Sequence, residues 1–563
     1  MALLPAANIA ELSMIKDWIR NGVSLDFSSM PSKIIYENTT TVIQNADIVK
    51  KRLEEYIDFQ AIIALPSNHP CPYGIAPLHV IIKEGKKPRL VIDLSRNLND
   101  NLVYEYFSYS NIIDASEASF PGCWYSKLDL SNCFLSFPLH SSALPHFIFK
   151  FDGQLYQFTR MPFGLSSAPR ICTLLLSVVH YRLKSECSSY LRELIRYLDD
   201  LLFISPSRSA SDRVLSLAQQ VIRNFGLVVN RDKTEGPAQV ISFLGIQINS
   251  IQCTLSCTFD RLSELLLLLH TASHLEKVKL SFLSSLIGKL SFAAIVLPGA
   301  RPFMRRMLDL KHKHMQRLAR SDRGIDSTTA STSSSIDHDR NRFRRSHTAF
   351  FINGFHSDIS FWITHLHLWN GTQKWRSSRS APICFATDAS LGGFGFYIES
   401  VPADCNTSAW PPNMIVGSAF SGLYSQRHHH LHSSSSQMTW CEMFAVYAAL
   451  STYCHLLAHS SVLIYIDNRT DVDIINRQAT RSSRLAGLLR HLYALSISHN
   501  FSIRAEHRAG VQNTLADFLS RPELHKHNHI HEWMNLSVSS DCALHVVSTV
   551  YSQDFALEQA NSS

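Results

Sequence analysis

Two adjacent acids constrain this chain more than any other feature. In Leu194-Ile195-Arg196-Tyr197-Leu198-Asp199-Asp200-Leu201-Leu202-Phe203-Ile204, short β-prone apolar runs flank Asp199 and Asp200. That pattern predicts a hairpin with carboxylates at its tip. Neighbouring carboxylates repel each other unless a cation lies between them, and a divalent metal is the simplest such partner. Taken alone, the same stretch is more often only a solvated turn, so the rest of the chain has to decide.

The chain has 563 residues, too many for one core, and the usual domain size suggests roughly three or four folding units. Its formal net charge of +7 is uneven. Between Arg301 and Arg345 stand twelve Arg or Lys against five Asp, an excess equal to that of the whole chain. A basic zone of this kind suits a polyanionic partner or a solvated linker. The twelve cysteines are scattered, and Cys253 and Cys257 have no second pair at zinc-finger spacing. They read as reduced thiols of an intracellular protein, cytoplasmic or nuclear. Asn8 and Glu11 interrupt the first apolar run, which makes it a poor signal peptide. The longest aliphatic run, Leu265 to Leu269, is far too short to cross a bilayer. The expectation is a soluble protein with no membrane partner.

Along the chain, residues 1–60 read as a helical extension, with Ile48 to Ile57 amphipathic. From Ala76 to Leu94, two β-rich runs enclose a basic Gly-containing turn. Such a tip suits a triphosphate or a nucleic-acid backbone, or only solvent. Ser126-Lys127-Leu128-Asp129 is a strand ending in an acid. Met161-Pro162-Phe163-Gly164-Leu165 places a turn ahead of a Ser-capped apolar helix. Later come Asn230-Arg231-Asp232-Lys233 and Phe243-Leu244-Gly245. Leu280 to Leu290 carries apolar residues at helical steps. The Ser-, Thr- and Arg-rich residues 319–346 cannot bury enough apolar surface to order themselves.

The ordered series from Lys83 to Gly245 resembles the fingers and palm of a reverse transcriptase. The resemblance implies that Asp129 and Asp199 meet across neighbouring strands and hold two Mg²⁺, with Asp200 supporting. It implies that Lys83 and Arg89 bind the incoming triphosphate, and that Phe163 and Gly164 line the substrate. Lys233 reads either as a group that neutralises the leaving pyrophosphate or as a surface lysine. Phe134 matches the bulky aromatic that abuts the sugar C2′ and excludes ribonucleotides; a plain core Phe is the alternative. The helix at Leu280 resembles the thumb.

A second set lies further on. Ile383 to Asp388 and Val462 to Asp467 are strands ending in acids, Glu442 lies on a helix, and Glu506 to Arg521 includes His507 and Asp517. This set resembles ribonuclease H, which implies that Asp388, Glu442, Asp467 and Asp517 bind two Mg²⁺ and that His507 assists product departure. Mn²⁺ is the expected substitute at both sites. The gap between Ile398 and Met438 is long and holds His428-His429-His430, read as a disordered insertion or a metal site.

The expected fold is multidomain, α+β and α/β. A right-hand polymerase of fingers, palm and thumb precedes a ribonuclease H-like domain with a mixed five-stranded sheet. The expected divisions are 1–60 extension, 61–255 fingers and palm, 256–318 thumb and connection helices, 319–346 disordered linker, 347–525 connection strand and nuclease, and 526–563 tail. The implied partners are an RNA template, a DNA primer, an RNA–DNA hybrid and deoxynucleoside triphosphates. Other retroelement proteins, including a separate recombinase, are further implied partners. The wording of Met161 to Leu165 and Leu286-Ile287-Gly288-Lys289-Leu290 resembles tyrosine-recombinase (DIRS-like) retrotransposons. An RNA-dependent RNA polymerase would share the palm acids without Phe134 or a nuclease, and a decayed element would bind nucleic acid without catalysis. Against decay, all seven metal-directed acids stand.

Overall fold

The computed structural model describes residues 9–82, 85, 87–95, 97–297, 299–325, 349–351, 355–371, 373–374, 382–402, 419–423, 435–458, 460–521 and 544–546. The chain divides into two units, Met1–Cys253 and Thr254–Ser563.

In the first unit, helix α1 (Ile9–Asn21) precedes α2 (Ala46–Asp58). The face of α2 carrying Val49, Leu53 and Tyr56 is buried, as their spacing dictates. Strands β1 (Ile62–Leu65), β2 (Leu78–Ile81) and β3 (Arg89–Ile92) follow, with β2 and β3 forming the hairpin foreseen around the basic turn. Lys83 lies outside the described residues. Next are β4 (Trp124–Asp129), β5 (Ile148–Phe151), β6 (Gln154–Phe158) and helix α3 (Ala168–Glu186). Then come β7 (Glu193–Tyr197), β8 (Asp200–Ser205), helix α4 (Arg208–Asn224) and β9 (Glu235–Ala238).

Strands β9, β4, β8 and β7 form a four-stranded antiparallel sheet in that order. Helix α4 packs on β4 and β8. Leu201 to Ser205 are all buried, so β8 is sealed on both faces up to the acid at its start. Leu128, Leu194, Leu201, Phe203, Val214 and Ala218 belong to one continuous core that also includes Phe147, Phe149 and Phe158. The acids therefore project from the rim of a rigid block.

The second unit opens with α5 (Phe259–Ser273), α6 (Leu280–Ala293), α7 (Arg305–Ile325) and α8 (His356–Trp369). Helix α7 runs seven residues past position 318, so the segment expected to be disordered from 319 onward begins as helix. Leu318, Ala319 and Arg320 are good helix formers that extend a helix already anchored by buried Met307. Residues 326–346 lie outside the described residues.

A mixed sheet follows. Its strands are β10 (Ile383–Ala389), β11 (Gly393–Ser400), β12 (Ala419–Leu423), β13 (Ser461–Ile466), β14 (Ser502–His507) and β15 (Leu544–Val546). The spatial order is β14-β13-β10-β11-β12-β15. Strands β10, β11 and β12 are antiparallel; β13 and β14 run parallel to β10. The expected five strands are six, because Leu544–Val546 of the C-terminal tail pairs parallel with β12 and covers an edge otherwise open. The long gap after Ile398 contributes strand β12, while His428-His429-His430 lie outside the described residues. Helices α9 (Ser435–Tyr453), α10 (Arg469–Arg477), α11 (Ser483–Ser498) and α12 (Thr514–Ser520) complete the unit. Helices α9 and α12 pack on β10 and β11. Among the described residues, no helix is long and apolar enough to cross a membrane.

Candidate active sites: two carboxylate clusters

The first cluster forms where β4 ends and β8 begins. Antiparallel pairing sets Asp200 directly opposite Asp129, and the Leu130 backbone N–H donates to the Asp199 carbonyl at 3.0 Å. The hairpin turn is Leu198-Asp199, between paired Tyr197 and Asp200. Leu198 has a φ of 52°, a left-handed conformation uncommon for a branched aliphatic residue. Strain at this turn accompanies the placement of Asp199 at its tip.

Asp129 is 5% exposed, and Lys233 Nζ donates to its Oδ1 at 2.8 Å. Lys233 thus bonds into the cluster from a side chain that is itself exposed. Burial, followed by Asp129, pushes the Asp199 carboxyl above its ordinary value, while Lys233 and Arg89 oppose that rise. Asp200 is pushed up to about 6 by burial, then by Asp199 and Asp129.

Four substrate-side residues assemble into one wall. The Arg89 guanidinium lies 5.4 Å from the Phe163 ring centre, and Phe134 meets Phe163 edge-on at 5.4 Å. Gly164 has a φ of 115°, and a Cβ there would stand 1.9 Å from the Ile92 carbonyl oxygen. Only glycine lets this turn close against β3, the strand that begins with Arg89.

The second cluster gathers Asp388 from β10, Glu442 from α9 and Asp467 just after β13. One carboxylate oxygen of each lies within 4.8 Å of the others. Asp388 and Glu442 are 4% and 3% exposed. Burial, then Asp467 and Asp517, pushes Asp388 up to about 7, against a 2.7 Å hydrogen bond from Ser520 Oγ. Burial, then Asp388, Asp467 and Asp471, pushes Glu442 up to about 10. Asp467 is raised as well, by burial and then by Asp517.

Asp517 is near enough to act on both partners but is engaged elsewhere. Its Oδ1 accepts from Arg521 Nη2 at 2.6 Å and Nε at 3.0 Å. His507 ends β14 beside Ile466, is exposed, and lowers Asp467 through its charge. Register and mutual charge relate Asp129, Asp199 and Asp200, and Asp388, Glu442 and Asp467 converge to ligand distance, while Asp517 acts on the second set through its charge.

Residues 48–248 match the reverse transcriptase (RNA-dependent DNA polymerase) family. The chain carries a reverse transcriptase domain. The Gag-Pol polyprotein of walleye dermal sarcoma virus is 30% identical over 122 residues, 22% of this chain and 7% of that protein. A retrovirus-related Pol polyprotein from transposon opus of Drosophila melanogaster is 27% identical over 201 residues, 35% of this chain and 19% of that protein. The chain thus spans well under a third of these relatives' lengths. A solved foamy viral protease–reverse transcriptase in complex with double-stranded DNA aligns with a TM-score of 0.49 at 13% identity, covering 89% of this chain and 79% of that one. The first cluster lies wholly within the reverse transcriptase domain; the second lies beyond it.

Several supporting residues escaped sequence reasoning. Ser520 bonds Asp388, and its carbonyl accepts from Ser390 Oγ at 2.6 Å. Asn513 Nδ2 donates to the Thr387 carbonyl at 2.9 Å. These contacts depend on close packing of α12, where a Cβ on Gly395 would stand 2.4 Å from Leu519 Cβ. Asp471 is fully buried, neither of its carboxylate oxygens has a hydrogen-bond partner, and burial followed by Asp467 pushes it up to about 8. The Gly392-Gly393 turn and the Ala516-Asp517-Phe518-Leu519-Ser520 wording were visible signals for the first two; Asp471 offered none.

Proposed function

We propose that this chain copies RNA into DNA at Asp129, Asp199 and Asp200, and cuts the RNA strand of the hybrid at Asp388, Glu442, Asp467 and Asp517. The observation that carries the first half is the register pair Asp129–Asp200 inside the matched reverse transcriptase region. The second half is supported by three acids on three separate elements converging to ligand distance.

Both clusters suit divalent cations. Their oxygens are hard donors, Glu442 Oε2 is buried without a hydrogen-bond partner, and all three acids of the second cluster are pushed towards protonation. Asp129, Asp199 and Asp200, and separately Asp388, Glu442, Asp467 and Asp517, would hold Mg²⁺ or Mn²⁺ pairs, whose chemistry there would be to activate the attacking oxygen and offset charge on the departing phosphate. The chain's own groups do the rest. Lys233, fixed by Asp129, faces the site where a leaving pyrophosphate gathers charge. Arg89, braced on Phe163, offers a planar fork to a triphosphate. Phe134, held edge-on against the same ring, blocks a 2′-hydroxyl by bulk. At the second site Ser520 donates to Asp388 and opposes its rise towards protonation, and His507 at the exposed end of β14 meets product as it leaves.

The wording of Met161 to Leu165 and Leu286 to Leu290 supports a finer reading as a tyrosine-recombinase retrotransposon enzyme. The test is extension of a primed RNA template with Mg²⁺ and either deoxy- or ribonucleotides. Extension with deoxynucleotides is expected, and Phe134→Ala should relax discrimination against ribonucleotides by about tenfold or more. Extension with ribonucleotides alone, or none at all, contradicts the proposal.

A further inference from the structure

A third cluster of ligating side chains lies in the second unit, apart from that unit's carboxylate cluster. Cys454, His455 and His499 each offer an atom within 4.8 Å of the other two. Cys454 immediately follows α9, and His499 caps the C-terminus of α11, which packs against α9. Cys454 is 5% exposed and not in a disulfide, while the rings of His455 and His499 meet edge to face at 4.8 Å between centres.

We propose that Cys454, His455 and His499 form a Zn²⁺ site that ties the C-terminal end of α9 to that of α11. The donor set is a thiol and two imidazoles, the soft and borderline combination that suits Zn²⁺ and not Mg²⁺. Tetrahedral coordination at Zn–S of ~2.3 Å and Zn–N of ~2.0 Å needs ligand atoms roughly 3.3–3.8 Å apart. Small side-chain rotations bring the present spacing to that value. A second feature favours a cation here independently of the donors. Both helices end at the cluster, and the C-terminal end of a helix dipole carries partial negative charge. With three protein ligands, the fourth position is left for water.

Glu442 precedes Cys454 by twelve residues on α9, about 18 Å along the helix axis. The ion is therefore too distant to join the reaction at the second carboxylate cluster. Its effect is mechanical: α9 carries Glu442, and fixing the helix end limits its sliding against α11.

The experiment uses the full chain, stripped with a chelator, kept reduced, and titrated with Co²⁺ in the presence of excess Mg²⁺. The carboxylate ligands offer no sulfur, so a near-ultraviolet thiolate-to-cobalt band that depends on Cys454 reports this site separately from them. One equivalent of Co²⁺ is expected to produce the band, and Zn²⁺ to abolish it by displacement. Cys454→Ser should remove the band. His455→Ala changes an exposed side chain and should weaken Co²⁺ binding at least about tenfold, a scale already reached on losing an outer-shell partner. If Cys454→Ser does not fold, the His455→Ala titration alone decides. No sulfur band in the unaltered chain, or a band that both variants leave undiminished, overturns the assignment, whatever the polymerase and nuclease assays give.

Discussion

The two carboxylate clusters differ in how their charge is balanced. At the first, Lys233 reaches in to bond Asp129, and Lys233 and Arg89 lower Asp199 through their charges. At the second, Arg521 pairs with Asp517 and lowers Asp388 only through its charge, behind burial and the charges of Asp467 and Asp517. Burial is the largest cause at both sites and the neighbouring charges add to it: Asp200 is pushed up to about 6, whereas Asp388 reaches about 7 and Glu442 about 10. A site that already contains its own cation is partly neutralised before substrate arrives. A site whose nearest cation is paired with an outlying acid holds protons until a metal displaces them.

The comparison can be broken most forcefully at Lys233. Lys233→Ala removes the built-in cation and makes the first cluster resemble the second. Extension should fall by about 10²-fold, the scale of losing one electrostatic stabiliser, and its pH profile should move upward because Lys233 now lowers both Asp199 and Asp200. Unchanged extension with an unchanged profile would remove Lys233 from the site.

The next effect is on metal uptake. A proton held on Asp388 at about 7 competes with any cation, so apparent Mn²⁺ affinity at the second cluster should rise with pH through about 7, by up to about tenfold per unit. Ser520→Ala takes away a bond to the ionised form, raises Asp388 further, and should shift this dependence to higher pH. Mn²⁺ titrations at several pH values read both. An affinity flat from pH 6 to 8, an interval about one unit either side of that value, contradicts the picture.

The smallest effect sits behind the second cluster. Asp471 has a folded-state pKa near 8, well above its ordinary value, so it favours the folded state at low pH. That contribution is lost as pH rises towards and through 8. Asp471→Asn carries no charge to bury and should raise the metal-free Tm by about 2–4 °C at pH 8, with little gain at pH 4. An equal change at both values means that Asp471 acts through packing alone.

What could be read in advance follows the range of the interactions involved. Asp129 and the Asp199-Asp200 pair stand at the ends of apolar strand runs, and local patterning is enough to place such acids at a sheet rim. Asp388 and Asp467 are legible for the same reason, on parallel neighbours β10 and β13. Charge balance was not legible. Lys233 lies 104 positions from Asp129 and Ser520 lies 132 from Asp388, and only the folded chain brings each pair together. Asp517 was grouped with its quartet by wording, and its pairing with Arg521, four residues on, came into view only with the structure. Strand β15 was missed because three residues in a long tail give no period, and its pairing depends wholly on the exposed edge of β12.

The most direct test of two separate catalytic clusters is a paired assay of primer extension and hybrid cleavage on Asp199→Asn and Glu442→Gln. Asp199→Asn should abolish extension and leave cleavage intact, and Glu442→Gln should do the reverse. Loss of both activities from either single change contradicts the account.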